Sequence, residues 1–383
     1  MRIGLLVLSV GNFGNKGFYN LQEVGLAKAF GKDGHTVEIF KCTGRNTGDR
    51  TEIIADNIRL HLMAVPTIGS NSVFSCEKRL PSDLDALICF SDIQLGTSRV
   101  YRWAKRHGIP FLPYTGITHS TSTSALKRAL SRFIASGVFR TYRKSGVFAK
   151  TTAVENELRA KGIKNVKTVP VGLDFDLLRN EYDVPAETLR SALGLDPALH
   201  YYLMVGRLES DRNPLDVLPV FRALRQADEA ARLLVIGKGS LKQALATALE
   251  ADGSAPFVTW IEQVPNCDMW KYYRASNALV SFSKTEIFGM SILEAMYYEL
   301  PVYVIHAPGP DEIMIDGETG FLFDTPEDMA ASIKDAVCPN PEMGARAHRR
   351  IVSRFSWEHM VNAVMTLTET AAAAGSKRNG SEE

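Results

Sequence analysis

Short apolar runs alternate with stretches of helical periodicity along most of the chain, a pattern that predicts parallel strands joined by helices packed on both sheet faces. In the first half the predicted strands are Ile3–Ser9, Val37–Phe40, Ala86–Phe90, Ile109–Tyr114 and Val166–Val169. In the second half they are Tyr202–Val205, Leu233–Ile236, Phe257–Ile261, Ala278–Phe282 and Pro301–Ile305. Two such sets predict an α/β chain of two doubly wound parallel-sheet domains. Asn213 before Pro214, and Thr325 before Pro326, each read as an N-cap followed by proline at the first helical position. The proline and glycine of VPVGLD, Val169–Asp174, place the hinge there. The domains are then 1–171 and 172–355. A last helix, 356–374, is expected to pack back onto the first domain, ahead of a disordered tail at 375–383.

The length of 383 residues agrees with two domains at about 150 residues each. The longest apolar runs fall short of the roughly 20 residues that span a bilayer. MRIGLLVLSV carries no A-x-A cleavage pattern and reads as a first strand rather than a leader. Five cysteines, Cys42, Cys76, Cys89, Cys267 and Cys338, show no metal-ligand spacing and read as free core thiols in a reduced cytosol. No metal site is expected.

Ligands of open α/β sheets bind beyond the carboxyl ends of the strands, so the turns there carry the candidate chemistry. After the first strand, Gly11, Gly14 and Gly17 allow close backbone approach to a ligand. Their spacing is not G-x-G-x-x-G, and the second strand ends at Lys41 rather than at an acidic residue, which argues against a nicotinamide enzyme. After YYLMVG, ending in Gly206, come Arg207 and Arg212. Two guanidiniums beside a helix N-terminus suit a diphosphate, although pairing with Glu209 and Asp211 would also explain them.

The stretch Ser281–Val304 places Glu286 in a turn, Gly289 before a helix starting near Met290, and Glu294 on that helix. The carboxylates lie on the order of 10 Å apart along the helix direction, too far to share one reacting proton. They suit the two ends of an elongated ligand whose phosphates sit at the helix N-terminus between them. Glu294 salt-bridged on a helix face is the plain structural alternative. Two Asp-x-Asp strings, Asp83 and Asp85, and Asp174 and Asp176, read as solvated or turn carboxylates rather than metal ligands.

Together the glycine turn, GRLESDRNP, LLVIGKGSL, EIFGMSILEAM and DGETGFLF resemble the retaining glycosyltransferases of family 4 (glycosyl transferases group 1), over nearly the whole chain. The resemblance implies a GT-B fold, two Rossmann-like domains facing each other across a cleft. It implies transfer of a hexosyl unit from a nucleotide diphosphate sugar, UDP rather than GDP, with retained configuration, no obligatory metal and no cofactor beyond the co-substrate. It makes Arg207 and Arg212 the diphosphate-binding pair, Glu286 the residue facing the donor sugar and Glu294 the ribose ligand. Gly14, Gly17, Gly206, Phe288, Gly289, Met290 and Ser291 complete the donor site, and His119 lies close to the transferred sugar. Ile287, Tyr297 and Val171 depart from the family pattern, and Ile287 leaves the identity of the donor sugar open.

The net charge of +1 offers no case for nucleic acid. It is a cancellation: residues 93–154 hold eleven Lys and Arg and no Asp or Glu, leaving −10 for the rest. Within them Leu126, Leu130, Phe133, Ile134 and Gly137 share one helical face, with Lys127, Arg128 and Arg132 offered as an acceptor or membrane face. A basic amphipathic helix can lie on an anionic membrane, which would place the protein at the cytoplasmic face. The partners expected are the donor and a lipid-linked or cell-surface glycan acceptor. The alternatives are a nucleotide-sugar epimerase of the same fold and a non-catalytic sugar-binding protein.

Overall fold

The first unit is built around a run of strands buried on both faces, of which β7 is apolar from end to end. In chain order its elements are β1 (Arg2–Val7), α1 (Gln22–Lys32), β2 (Thr36–Gly44), β3 (Arg50–Ala55), β4 (Ile58–Val65), the short β5 (Thr67–Ile68) and β6 (Asn71–Ser72), β7 (Ala86–Phe90), α2 (Thr97–Arg106), β8 (Phe111–Thr115), α3 (Ala125–Ser145), β9 (Val147–Ala149), α4 (Thr152–Ala160) and β10 (Val166–Thr168). This is a computed structural model that describes residues 1–10, 21–44, 48–68, 71–72, 76–119, 125–178, 183–333 and 341–379.

The eight-stranded sheet runs β10-β9-β8-β7-β1-β2-β4-β3. Every pairing in it is parallel except β3 with β4. In the centre, Leu5 of β1 lies between Ile39 and Ile88. β2 continues past Lys41 to Gly44, and the Lys41 ammonium is held 2.7 Å from the Glu23 carboxylate on α1, so it is not a strand-end residue. β3, β4 and β9 were not expected from the sequence.

The second unit contains α5 (Ala186–Ala192), β11 (His200–Val205), α6 (Val217–Ala227), β12 (Ala231–Ile236), α7 (Lys242–Ala251), β13 (Val258–Ile261), α8 (Met269–Ala275), β14 (Ala278–Ser281), α9 (Met290–Tyr297), β15 (Val302–Ile305), α10 (Pro308–Ile313), β16 (Phe321–Phe323), α11 (Pro326–Ile333) and α12 (Pro341–Arg354). Its all-parallel sheet runs β13-β12-β11-β14-β15-β16. The winding proceeds outward from β11 to β13, then reverses by returning to β14 on the other side of β11. Tyr202, Val235, Phe221, Leu245 and Phe282 are among the buried side chains of its core.

The chain divides after Asp174, and the second unit runs from Phe175 to Ser356. From Trp357 the chain returns to the first unit as α13 (Glu358–Asn379), where Met360, Val361 and Val364 are buried and the helix packs on α1. The helix runs through 375–379, which the sequence reading placed in a disordered tail.

Some local expectations hold and others need correction. Asp174 is not solvated: it is buried, with the Lys28 ammonium 2.7 Å from its carboxylate. Asp83 and Asp85 both hold Arg2, one through the guanidinium and one through the backbone amide. Thr325 caps α11 by accepting from the Asp328 amide at 3.1 Å. Asn213 makes no such cap: its φ is 46°, and its side-chain amide donates instead to the Phe282 carbonyl at 3.3 Å. Cys42, Cys76 and Cys89 are buried, but Cys267 is exposed. Cys338, Gly11, Gly14 and Gly17 lie outside the described residues.

Candidate functional site

The winding reverses between β11 and β14, and in open α/β sheets ligands bind beyond the carboxyl ends of the strands at such a point. The residues singled out in the second half gather there because each follows directly on one of these apolar strands. Gly206 directly follows β11, with Arg207 and Arg212 after it; Glu286 and Gly289 follow β14.

The loops are tied into one framework. Ser283 Oγ and Thr285 Oγ1 both donate to the Asp211 carbonyl, at 2.9 and 3.1 Å, joining the β14 loop to the β11 loop. The β12 loop, Gly237–Leu241, is threaded against the β11 loop: the Leu208 amide donates to the Lys238 carbonyl and the Leu241 amide to the Leu208 carbonyl. The approach admits no side chain, since a Cβ on Gly239 would lie 2.3 Å from the Leu208 carbonyl oxygen and one on Gly237 would lie 1.9 Å from that of Gly206. Glu209 is held by the Ser240 amide and hydroxyl, which keep its carboxyl below the ordinary range.

Within this framework Arg207 donates to Asp211 at 2.7 Å, and Arg212 is ion-paired with Glu286. Asp211 also lies 3.6 Å from the Arg212 guanidinium. Asp211 therefore does pair with the arginines, whereas Glu209 turns away to Ser240. Burial draws the Arg212 guanidinium below its usual pKa, opposed by Asp211 and reinforced by Arg207.

Gly289, with φ 85°, makes the turn that starts α9. The amides of the first helical turn precede the first intrahelical donors, Ile292 and Leu293, both of which donate to the Gly289 carbonyl. Met290 and Ser291 therefore stand at the end of the helix that carries partial positive charge. Phe288 is buried and packs edge-on to Phe355 at 6.0 Å, which anchors the turn.

Glu294 is buried on α9 and accepts from the Tyr273 hydroxyl at 2.8 Å. Tyr273, on α8, was not among the residues read from the sequence, which offers no signal linking it to Glu294. Burial pushes the Tyr273 phenol well above its ordinary pKa, with the Glu294 charge adding to the rise. It thus remains a proton donor. Tyr297, which departs from the small residue of the family pattern, is buried beside Phe175, Tyr298 and His348. Its bulk is absorbed by this aromatic packing rather than directed at the loop.

His119 belongs to the first unit, just beyond β8. Its imidazole is exposed, 3.1 Å from Thr118 Oγ1 and 3.4 Å from the Glu157 carboxylate. Arg128 and Arg132 are exposed on α3; Lys127 lies on the same helix. Among the described residues no three His, Cys, Asp or Glu side chains converge to hold a metal ion. No described helix is long and apolar enough to cross a membrane.

Residues 185–349, which contain this framework, match the family described as glycosyl transferases group 1. Among curated proteins, a D-inositol 3-phosphate glycosyltransferase of Segniliparus rotundus is 28% identical over 220 residues, which cover 55% of this chain and 48% of that protein. The match thus spans about half of the relative's length. Among solved structures, a sucrose-phosphate synthase from Thermosynechococcus elongatus superposes with a TM-score of 0.74 at 18% identity, covering 98% of this chain and all of that one. HepE of Anabaena, solved with UDP and glucose, superposes with a TM-score of 0.68 at 16% identity, over 97% of this chain and all of that one. The two α/β units are thus of the GT-B type.

Proposed function

We propose that this chain, a member of the glycosyl transferases group 1 family through residues 185–349, moves a hexosyl unit from a nucleotide diphosphate sugar to an acceptor hydroxyl with retained anomeric configuration. The observation that carries this reading is the meeting of Arg207, Arg212 and the N-terminus of α9 at the winding reversal of the second sheet, with Glu286 in the same loops. Breaking the anomeric C–O bond builds negative charge on the departing diphosphate. Donors already fixed around the place where that charge develops lower the barrier without reorganising.

In the described state each arginine is neutralised by a carboxylate, Arg207 by Asp211 and Arg212 by Glu286. A bound diphosphate takes over the guanidiniums, and Glu286 is then released to accept from hydroxyls of the donor sugar. Glu294, oriented by Tyr273, accepts from the ribose hydroxyls. Phe288, Gly289, Met290 and Ser291 present backbone to the sugar and phosphates. The acceptor hydroxyl attacks from the face the diphosphate leaves, and the departing phosphate takes its proton, so no side-chain base and no metal are required. His119 enters on the family resemblance, aligned within its own unit by Glu157. Uridine is preferred as the base, in line with the UDP of HepE.

On the acceptor side, the excess of Lys and Arg between residues 93 and 154 favours an acceptor that carries phosphate or lies at an anionic surface, such as a lipid-linked or cell-surface glycan. The protein would then work at the cytoplasmic face of a membrane. A test is to assay transfer from UDP-hexoses to a panel of phosphate-bearing and lipid-linked acceptors. Wild-type protein should form an α-linked product from an α-linked donor. An inverted product, or an epimerised sugar released without acceptor, would contradict the reading.

A further inference from the structure

α3 buries only part of the apolar face that its sequence period marks. That period groups Leu130 and Phe133 with Ile134 and Gly137 on one face. In the structure Ala135, Val138 and Tyr142 are buried and Ile134 and Phe139 pack against the core, while Leu130 is 54% and Phe133 79% exposed. This setting of the helix follows from the seat that α2 provides: Ser98 Oγ donates to the Gly137 carbonyl and hydrogen-bonds Thr141 Oγ1, and Tyr142 OH hydrogen-bonds Ser91. These polar contacts fix the helix in a register that turns a large aromatic and a leucine outward.

The outward stripe is not merely apolar. Arg128, Arg132, Arg140, Arg143 and Lys144 are all exposed on this helix, and neither it nor the sequence from residue 93 to 154 contains a carboxylate. Arg143 also donates to the Lys161 carbonyl, a neutral acceptor that leaves its charge in place. A leucine and a phenylalanine next to each other, surrounded by cations, match two properties of one partner: an apolar interior behind a negatively charged surface. A protein surface of acidic side chains would satisfy the cations but leave Phe133 in water or against carboxylates. The 21 residues of α3 extend for about 30 Å, long enough to lie along such a surface.

We propose that α3 docks on an anionic lipid surface, with Leu130 and Phe133 inserted below the headgroups and Arg132 and Arg140 against the phosphates. This deepens the membrane part of the proposed function, but stands on α3 alone and not on the donor site. The charges hold the helix at the surface, and the two apolar side chains give the attachment its resistance to salt.

The experiment is sedimentation of the full chain with vesicles of phosphatidylcholine mixed with phosphatidylglycerol, against phosphatidylcholine alone. Wild type should pellet with the mixed vesicles and stay in solution with the neutral ones. Arg132→Gln and Arg140→Gln should each weaken binding roughly fivefold. The double variant Leu130→Ser/Phe133→Ser should weaken it roughly tenfold or more, at low salt as well as high. Since all four side chains are exposed, each variant should keep the wild-type melting temperature, which verifies folding. Equal binding by Leu130→Ser/Phe133→Ser and wild type, or no binding by wild type at low salt, overturns the proposal. The same preparations titrated with UDP separate the two readings: loss of vesicle binding with intact UDP binding removes only the docking proposal. Vesicle binding without any UDP binding removes only the donor assignment.

Discussion

Arg212, on the loop after β11, and Glu286, on the loop after β14, are ion-paired across the point where the second sheet reverses its winding. The pair joins a group assigned to the diphosphate with one assigned to the sugar. On the proposed assignment, the carboxylate would compete with a diphosphate for the guanidinium. Glu286→Gln should accordingly bind UDP more tightly, by roughly fivefold for about 1 kcal/mol of relieved competition, while losing transfer. Calorimetric titration of UDP into both proteins measures the first effect, and turnover the second.

The Tyr273 hydroxyl is a charge-assisted donor to the buried Glu294 carboxylate. Tyr273→Phe leaves that carboxylate one donor short and should cost about 2 kcal/mol in urea unfolding. Glu294 is assigned to the ribose and not to the reacting bond, so KM for the donor should rise several-fold with kcat little changed. A fall in kcat at constant KM would move Glu294 to another role.

The glycines of the β12 loop are tested by a single methyl group. Gly239→Ala would place a carbon 2.3 Å from the Leu208 carbonyl oxygen, and backbone cannot yield there as a side chain would. The β11 loop carrying Arg207 and Arg212 should be displaced, with about 2 kcal/mol lost in stability and UDP affinity reduced. Both are read by thermal melts with and without UDP.

Much of this architecture was legible in the chain, for physical reasons that also explain the gaps. β7 was read to its exact ends because a strand buried on both faces is continuously apolar. β3, with the sequence RTEIIA, lies at an edge and exposes alternate side chains, so it carries no such run. β9 has only three residues. Arg207, Arg212 and Glu286 stand out as candidates because each follows an apolar strand. Tyr273 does not, because its bond to Glu294 joins residues 21 apart on different helices. The outward turn of Phe133 depends on contacts between Ser98 and residues 137 and 141, which no helical period encodes.

On β2, inside the first sheet, buried Glu38 should make stability depend on pH. Burial pushes its carboxyl up, but hydrogen bonds from His61 and Arg2 outweigh this and leave it below the ordinary value. A carboxyl lowered on folding stabilises the native state above its unfolded pKa, and that contribution is lost as pH falls through the folded value. Wild type should exceed Glu38→Gln in urea midpoint at pH 7, and the gap should close below about pH 4. A constant gap would mean that Glu38 contributes through packing rather than charge.

The central assignment is Arg207 as a diphosphate ligand that the fold does not itself require. It is half-exposed in a pair with Asp211, a type of contact worth about 1 kcal/mol or less. The most direct measurement is thermal stabilisation of wild type and Arg207→Ala by a panel of UDP- and GDP-hexoses. A ligand at 100 times its Kd stabilises a native state by about 2.7 kcal/mol. Wild type should therefore gain several degrees with at least one member of the panel. Arg207→Ala should melt close to the unliganded wild type and gain little or nothing from the same ligand. Equal stabilisation of both proteins, or none of wild type by any member, would contradict the account.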